Sequence, residues 1–312
     1  MSTSCHASPL CSHPRCTVDP VQYPNVSSLT VLRNGRRDPT TVIGQDHLYR
    51  ATHTPEGLGT IHVRRLDDTV EIDVYGPGGD WLLRNAHFLL GDHDKPPHLE
   101  SRHEAIRDAQ RRHRDVKVVR SGTAYHELIP AVLGQRVTTA EAARQWRQLC
   151  MAYGTKLTAH GKELWSPPDP QILAHLPYHE LHQFGIERRR AESLRVVARH
   201  FMYISTLHDA ECAPSEATSR LTALPGVGHW TAAVAGFVAF GDADAVAVGD
   251  FHLKNMVTYA LTGRHRGTDA NMLELLEPYR PQRGRVIRWL SLDGWSAPKH
   301  GPRRRNLSIA RF

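Results

Sequence analysis

The stretch that decides this chain is Leu224-Pro225-Gly226-Val227-Gly228-His229-Trp230-Thr231-Ala232-Ala233-Val234-Ala235. Upstream, Ser215 to Ala223 has a helical pattern, with Ser215 as its expected N-cap. Downstream, an Ala/Val-rich helix runs to Phe240, and Gly241-Asp242-Ala243-Asp244 breaks it. Two glycines separated by one apolar residue predict a tight hairpin between these helices. Glycine adopts positive φ and lacks the Cβ that would hold another backbone at a distance. Val227 is placed to pack back between the helices. Backbone N–H groups at the start of the second helix, with its dipole, favour an anion such as a phosphate. Pro-Gly-x-Gly also serves as an ordinary helix–helix turn, so Gly-x-Gly alone leaves both readings open.

Further along, Val246-Ala247-Val248-Gly249-Asp250-Phe251-His252-Leu253-Lys254-Asn255 leads into an amphipathic helix carrying Leu253, Met256, Val257 and Leu261. Asp250 has two readings. It is the N-cap of that helix, or a carboxylate held at a helix start and turned toward the hairpin.

The rest of the chain supplies context. It has 312 residues and a formal net charge of +7, from 39 Lys and Arg against 32 Asp and Glu. That length allows about two domains, and 40% apolar residues are enough for a sizeable core. The basic surplus points mildly to a polyanion, nucleic acid first. No run of eighteen apolar residues exists, so no membrane span is expected. A secretory signal is not expected either, and five Cys (5, 11, 16, 150 and 212) are too few for a disulfide scaffold. A reducing cytoplasm is the simplest setting, with nucleoid association if the source is bacterial.

Residues 1–25 read as a loose tail. Cys5, Cys11, Cys16, His6 and His13 lie close together there, but C-x5-C-x4-C matches no usual zinc spacing. Residues 26–112 read as an α+β N-terminal domain. Ile61 and Val63 alternate with polar neighbours, as do Val70, Ile72 and Val74, with Asp67-Asp68 as the turn of an antiparallel hairpin. One helix is expected over Asp80–Leu90. The charged run Ser101–Arg120 is read as a solvated helix joining two domains in preference to a phosphate-facing stripe. From 113 to 298 the period is helical, with helices over Ala124–Leu133, Thr139–Tyr153, Pro170–Ala174, Pro177–His182 and Glu187–Met202. Residues 299–312 form a basic tail with Arg303-Arg304-Arg305. The expected fold class is α+β: a small antiparallel-sheet domain, then an all-helical region.

Leu224-Pro-Gly-Val-Gly-His-Trp-Thr-Ala paired with Val248-Gly-Asp-Phe-His-Leu-Lys resembles the helix–hairpin–helix base-excision DNA glycosylases. Within that superfamily the 3-methyladenine DNA glycosylase II (AlkA-type) group is most similar. Ile129-Pro-Ala-Val-Leu-Gly-Gln-Arg-Val-Thr and Phe184-Gly-Ile…Arg189-Arg-Ala-Glu-Ser-Leu resemble two further segments of that group, and the sheet-like first hundred residues resemble its extra N-terminal domain.

The resemblance implies a monofunctional glycosylase acting on alkylated purines of the 3-methyladenine and 7-methylguanine class in double-stranded damaged DNA, as a monomer. It implies that Asp250 is catalytic, stabilising an oxocarbenium-like sugar and orienting the attacking water. It implies a base pocket of Trp230, Phe251 and Trp289, with cationic bases stacked on electron-rich rings. DNA contacts would come from Pro225, Gly226, Val227, Gly228, Thr231, Gln135 and Arg136, the last as a wedge filling the gap left by a flipped base. No metal ligand from side chains and no required cofactor follow; a monovalent cation on the hairpin carbonyls, between Gly226 and Gly228, does. Lyase relatives place a Lys where this chain has Trp230, so no lyase activity is expected. No Cys follows Cys212, which excludes the family's four-Cys cluster. This chain also departs from the pattern: Val234 stands where an aromatic is common, and Leu290 is an alternative to Trp289. Alternatives are a glycosylase for another lesion or a non-catalytic DNA-binding module.

Overall fold

The structure is a computed structural model. It describes residues 16–18 (backbone only), 23–67, 69–208 and 211–298. The Cys/His cluster at 5–13, Asp68 of the expected turn and the basic tail from 299 lie outside the described residues.

Alternating apolar residues build one antiparallel sheet of β1 (Cys16–Val18), β2 (Thr41–Ile43), β3 (His47–Thr54), β4 (Gly57–Arg65) and β5 (Val70–Tyr75). Its spatial order is β1-β5-β4-β3-β2. Ile61 faces Val74 and Val63 faces Ile72 across the expected hairpin. The expectation of a loose tail fails at Cys16–Val18, which pairs with β5. The outer edge of β5 offers unpaired N–H and C=O groups that an added strand satisfies.

The inner face of the sheet packs with α1 (Val26–Leu29), α2 (Gly79–Arg84) and α3 (Ala86–Leu89) around Leu29, Leu48, Ile61, Trp81 and Leu89. The single helix expected over 80–90 is divided at Asn85, whose Nδ2 donates to Trp81 O and offers the backbone an alternative to continuing.

After α4 (Glu104–Arg112) come α5 (Ala124–Leu133) and α6 (Thr139–Tyr153), as the periodicity predicts. The region is not all helical. A hairpin of β6 (Lys156–Ala159) and β7 (Lys162–Trp165) follows α6, because His160 and Gly161, at φ 45° and 73°, make a two-residue turn with both residues left-handed. Next are α7 (Pro170–His175), α8 (Tyr178–His182), α9 (Arg188–Arg199) and α10 (Phe201–Thr206), so the expected helix 187–202 is broken at His200. α11 (Pro214–Arg220) starts on Pro214 with Ala213 as N-cap, not on Ser215; proline suits a first helical position because its missing N–H would be unpaired there anyway. α12 (His229–Ala239), α13 (Leu253–Thr262), α14 (Asp269–Leu276) and α15 (Arg283–Leu292) complete the chain.

Two helical cores result. α5, α6, α9 and α12 bury Leu128, Trp146, Leu194, Val227 and Ala235 together. α13 to α15 form a separate core with Met256, Val257, Met272 and Trp289, and α4 joins it through Ile106 and Ala109. α4 therefore packs on the C-terminal helices, not on the N-terminal sheet. Its guanidinium groups have partners: Arg107 meets Ser101 O and Arg111 meets Asp108 nearby in the chain, while Arg112 reaches Asp293 at the end of α15. The helix covers only Glu104–Arg112 of the charged run, with one face buried on the C-terminal helices and Arg111 and Arg112 exposed on the other.

The sheet is locked to the helices by buried polar contacts. Arg50 on β3 meets Glu127 on α5 at 2.5 Å, both fully buried. His208 sits between Arg120 Nε (3.2 Å) and Asn85 Oδ1 (2.7 Å). Burial first, then the nearby Arg120 and His87, pushes its pKa down to about 3. The folded state thus holds His208 neutral, whereas the unfolded chain protonates it near 6.5. Stability from this group is present above pH 6.5 and is lost as pH falls toward 3. Between about pH 6 and 4 the loss is about 1.4 kcal/mol per unit. Urea melts of His208→Gln and wild type across that range should show a shallower pH slope in the variant; equal slopes refute the assignment.

Candidate functional site

The hairpin lies where the sequence puts it. Pro225 and Gly226 form the turn, closed by Val227 N donating to Leu224 O at 2.9 Å. Val227 is buried in the helical core, while Pro225, Gly226 and Gly228 are exposed. The two glycines have different physical reasons. Gly226 has φ 87°, and a Cβ there would overlap Ser193 Oγ and stand 2.9 Å from Ser193 Cβ on α9. Gly228 has an ordinary extended backbone (φ −84°, ψ 176°), and a Cβ there would meet nothing within 4 Å. Nothing within the described chain requires glycine at 228. Its open side faces outward at the start of α12, where free N–H groups and the helix dipole accumulate positive potential.

Gln135, in the α5–α6 connection, clamps the hairpin. Its Nε2 donates to Gly226 O at 3.0 Å and to Thr231 Oγ1 at 2.9 Å. Thr231 is buried, so both residues act here as supports of the turn. Arg136 follows with φ 58° and an exposed side chain. A non-glycine residue in the left-handed region is uncommon.

Asp250 stands two residues before His252, the N-cap of α13, and its two oxygens face different elements. Oδ1 accepts from His252 N (2.8 Å) and Leu253 N (2.9 Å), which holds the backbone leading into α13. Oδ2 accepts from Trp230 Nε1 at 3.0 Å, which ties the carboxylate to the first turn of α12. A carboxylate has about four lone-pair positions, and three neutral donors occupy three of them. The remaining one on Oδ2 is left for a substrate or a water.

The approach to Asp250 is held from several sides. Arg283 Nε and Nη2 bind Asp244 at 2.9 and 2.7 Å, and Arg285 N donates to Ala243 O at 2.9 Å. A Cβ at Gly284 would stand 2.7 Å from Ala245 O, so glycine lets the start of α15 touch this connection. Asp269 Oδ1 accepts from Gly249 N at 3.1 Å, and its Oδ2 meets Lys254 Nζ at 3.1 Å. Partial burial opposes ionisation of Asp269, but these two donors outweigh it and hold its pKa below the usual range. Asp244, Asp269, Arg283 and Gly284 are supports that sequence reading missed. Their partners lie 15 to 39 residues away, and no local period announces them.

The three expected pocket rings separate. Trp230 is half-buried beside Asp250, and a Cβ on Gly134 would stand 3.3 Å from its Cη2. Phe251 is 72% exposed and stands edge-on to His252. Trp289 does not line a pocket. It is 1% exposed in the C-terminal core, because residues 286, 289 and 290 share the inward face of α15; Leu290 is equally buried. Val234 is exposed on α12.

Comparison with known proteins gives a family match and a shared fold. Residues 129–281 match the model of the HhH-GPD superfamily base excision DNA repair protein. A probable bifunctional transcriptional activator/DNA repair enzyme AlkA of Mycobacterium tuberculosis is 32% identical over 128 residues, 40% of this chain and 25% of that protein. The chain therefore aligns with only a quarter of that relative's length. Two solved structures share the fold. A 3-methyladenine DNA-glycosylase from Archaeoglobus fulgidus superposes with a TM-score of 0.67 at 15% identity, over 90% of this chain and 98% of that one. A Clostridium acetobutylicum 8-oxoguanine glycosylase/lyase, in complex with double-stranded DNA, gives 0.63 at 12% identity, over 89% and 96%.

Proposed function

Because residues 129–281 of this chain belong to the HhH-GPD superfamily of base excision DNA repair proteins, we propose that it is a monofunctional DNA glycosylase acting on alkylated purines. The observation that carries this reading is Asp250, fixed between the start of α13 and the Trp230 indole, two residues beyond the hairpin.

The target nucleotide must leave the stack to reach the site. A purine alkylated at N3 or N7 carries positive charge and leaves readily, so little acid catalysis is needed. The free position on Asp250 Oδ2 would face the positive charge that develops on the sugar, or take a proton from the attacking water. Trp230 would offer its ring to a cationic base, oriented by its bond to Asp250. Arg136, exposed in its left-handed turn, would fill the vacated space in the duplex. The hairpin would grip a phosphate of double-stranded DNA through backbone N–H groups. Gly226 O and Gly228 O accept one hydrogen bond each, from Gln135 and Ala232 N. Each keeps a lone pair for a monovalent cation of the kind the resemblance implies.

A Schiff-base route needs an amine where Trp230 stands, and Lys254 is engaged by Asp269. With methylated duplex DNA, the protein is expected to release 3-methyladenine or 7-methylguanine without nicking the strand. Release of neither base defeats the alkylpurine reading, and nicking before any heat or base treatment defeats the monofunctional one. With Trp289 buried and Val234 on α12, Trp230 and Phe251 would be the rings left to meet a base beside Asp250. Release of 8-oxoguanine in the same assay would favour an oxidised-base substrate.

A further inference from the structure

A second cluster of chemistry-bearing residues lies far from the hairpin in sequence, on the outer face of the N-terminal sheet. His62 on β4 and Asp73 on β5 are direct cross-strand partners. Their neighbours Ile61, Val63, Ile72 and Val74 point into the core, so strand alternation sends His62 and Asp73 to the other face. That face is nonetheless closed, and both residues are 4% exposed. The cover is the β6–β7 turn, which brings His160 against them.

Asp73 Oδ2 lies 2.8 Å from His160 Nε2 and 3.5 Å from His62 Nδ1. One ligand atom from each residue falls within 4.8 Å of the other two. Two ligands about 2.1 Å from a common tetrahedral centre lie about 3.4 Å apart. The Asp73–His62 spacing already fits, and the Asp73–His160 spacing needs to open by a few tenths of an ångström.

Two further observations point to a ligand. His62 Nδ1 is buried and makes no well-formed hydrogen bond, its nearest partner being Asp73 Oδ2 at 3.5 Å, which is a cost unless something binds it. The His62 ring is stacked on Tyr49, with centroids 4.1 Å apart and planes 9° apart, so its orientation is fixed in advance. A recess of about 310 Å³, lined in part by Tyr49, His62 and His160, adjoins the cluster and provides an approach. The nearest opposing charge, Arg64, is paired with Glu71.

We propose that His62, Asp73 and His160 form a binding site for one divalent transition-metal ion of the zinc class, which tethers the β6–β7 turn to the N-terminal sheet. Two imidazoles and one carboxylate suit such an ion, whereas calcium and magnesium prefer oxygen donors throughout. Three protein ligands leave a fourth position for water on the side of the recess. The site is independent of the glycosylase reading, since no hairpin residue and not Asp250 belongs to it.

The test is equilibrium dialysis of the full chain against Zn2+, with Co2+ as a spectroscopic substitute. Two variants decide the outcome. His160→Asn keeps a residue that tolerates the left-handed turn but removes the imidazole. The Cys5→Ser, Cys11→Ser, Cys16→Ser triple variant removes the tail thiolates as competing ligands. The expected result is one zinc bound by wild type and by the triple variant, at least about tenfold weaker binding by His160→Asn, and Co2+ d–d bands without a thiolate charge-transfer band in the triple variant. Zinc should also raise the thermal midpoint of the triple variant but not of His160→Asn. Binding that survives His160→Asn unchanged, or that vanishes with the tail thiolates, overturns the proposal, as does a wild type that holds no zinc.

Discussion

Asp250→Asn should lower single-turnover base release on the order of 100- to 1000-fold while leaving the fold and DNA binding intact. The magnitude is that of removing one positioned charge or proton acceptor from a developing transition state. The substitution is chosen from the geometry. Asn retains an oxygen for His252 N and Leu253 N, so the backbone leading into α13 stays held. Asp250→Ala would lose that hold, at about 1 kcal/mol, and would mix a folding defect with a chemical one. Asn does turn an amide N–H toward Trp230 Nε1, so the bond made by Oδ2 is lost. Trp230→Phe is the control, because it removes that bond and keeps the carboxylate. If Asp250→Asn is as active as wild type, Asp250 only holds the backbone leading into α13. If Trp230→Phe is equally impaired, the carboxylate acts through orientation of the ring and not through its charge.

The second large effect separates the two hairpin glycines. Gly226→Ala should cost about 2–4 kcal/mol of folding stability, from the left-handed backbone and the overlap with Ser193. Gly228→Ala should change stability by no more than about 0.5 kcal/mol, since its Cβ meets open space and its φ is ordinary. DNA affinity should respond in the opposite way. A methyl group at 228 would hold a phosphate away from the α12 N–H groups. Losing one hydrogen bond to a charged acceptor, about 1.5–3 kcal/mol, weakens binding roughly ten- to hundredfold. Chemical denaturation and fluorescence-anisotropy titration of both variants decide the matter. Full DNA affinity in Gly228→Ala would show that the phosphate does not approach there.

The reason for each glycine could not be read from Pro-Gly-Val-Gly. The string predicts a turn, but a clash with Ser193 depends on α9 crossing behind it, 33 positions earlier in the chain. Asp250 is similar. Its sequence position allows a helix cap or a carboxylate turned toward the hairpin, and the structure gives one oxygen to His252 N and the other to Trp230 Nε1. Trp289 is the opposite lesson. Its position near the final helix suggested a pocket ring, yet helical period turns it into the C-terminal core.

What the sequence by itself determined is local. Period-two alternation determined the β4–β5 hairpin, period 3.6 determined α5 and α6 to the residue, and two glycines around Val227 determined the turn. These follow from dihedral preferences and from which side chains must leave water, and both are properties of neighbours in the chain. Only the tertiary structure decided that Gln135 clamps the hairpin, that Arg283 and Asp269 hold the approach to Asp250, and that His160 reaches His62 and Asp73. Those contacts join residues 15 to 98 positions apart. They arise from how helices and sheet pack as bodies, where a polar group finds its partner according to shape and burial, and chain spacing carries no trace of either.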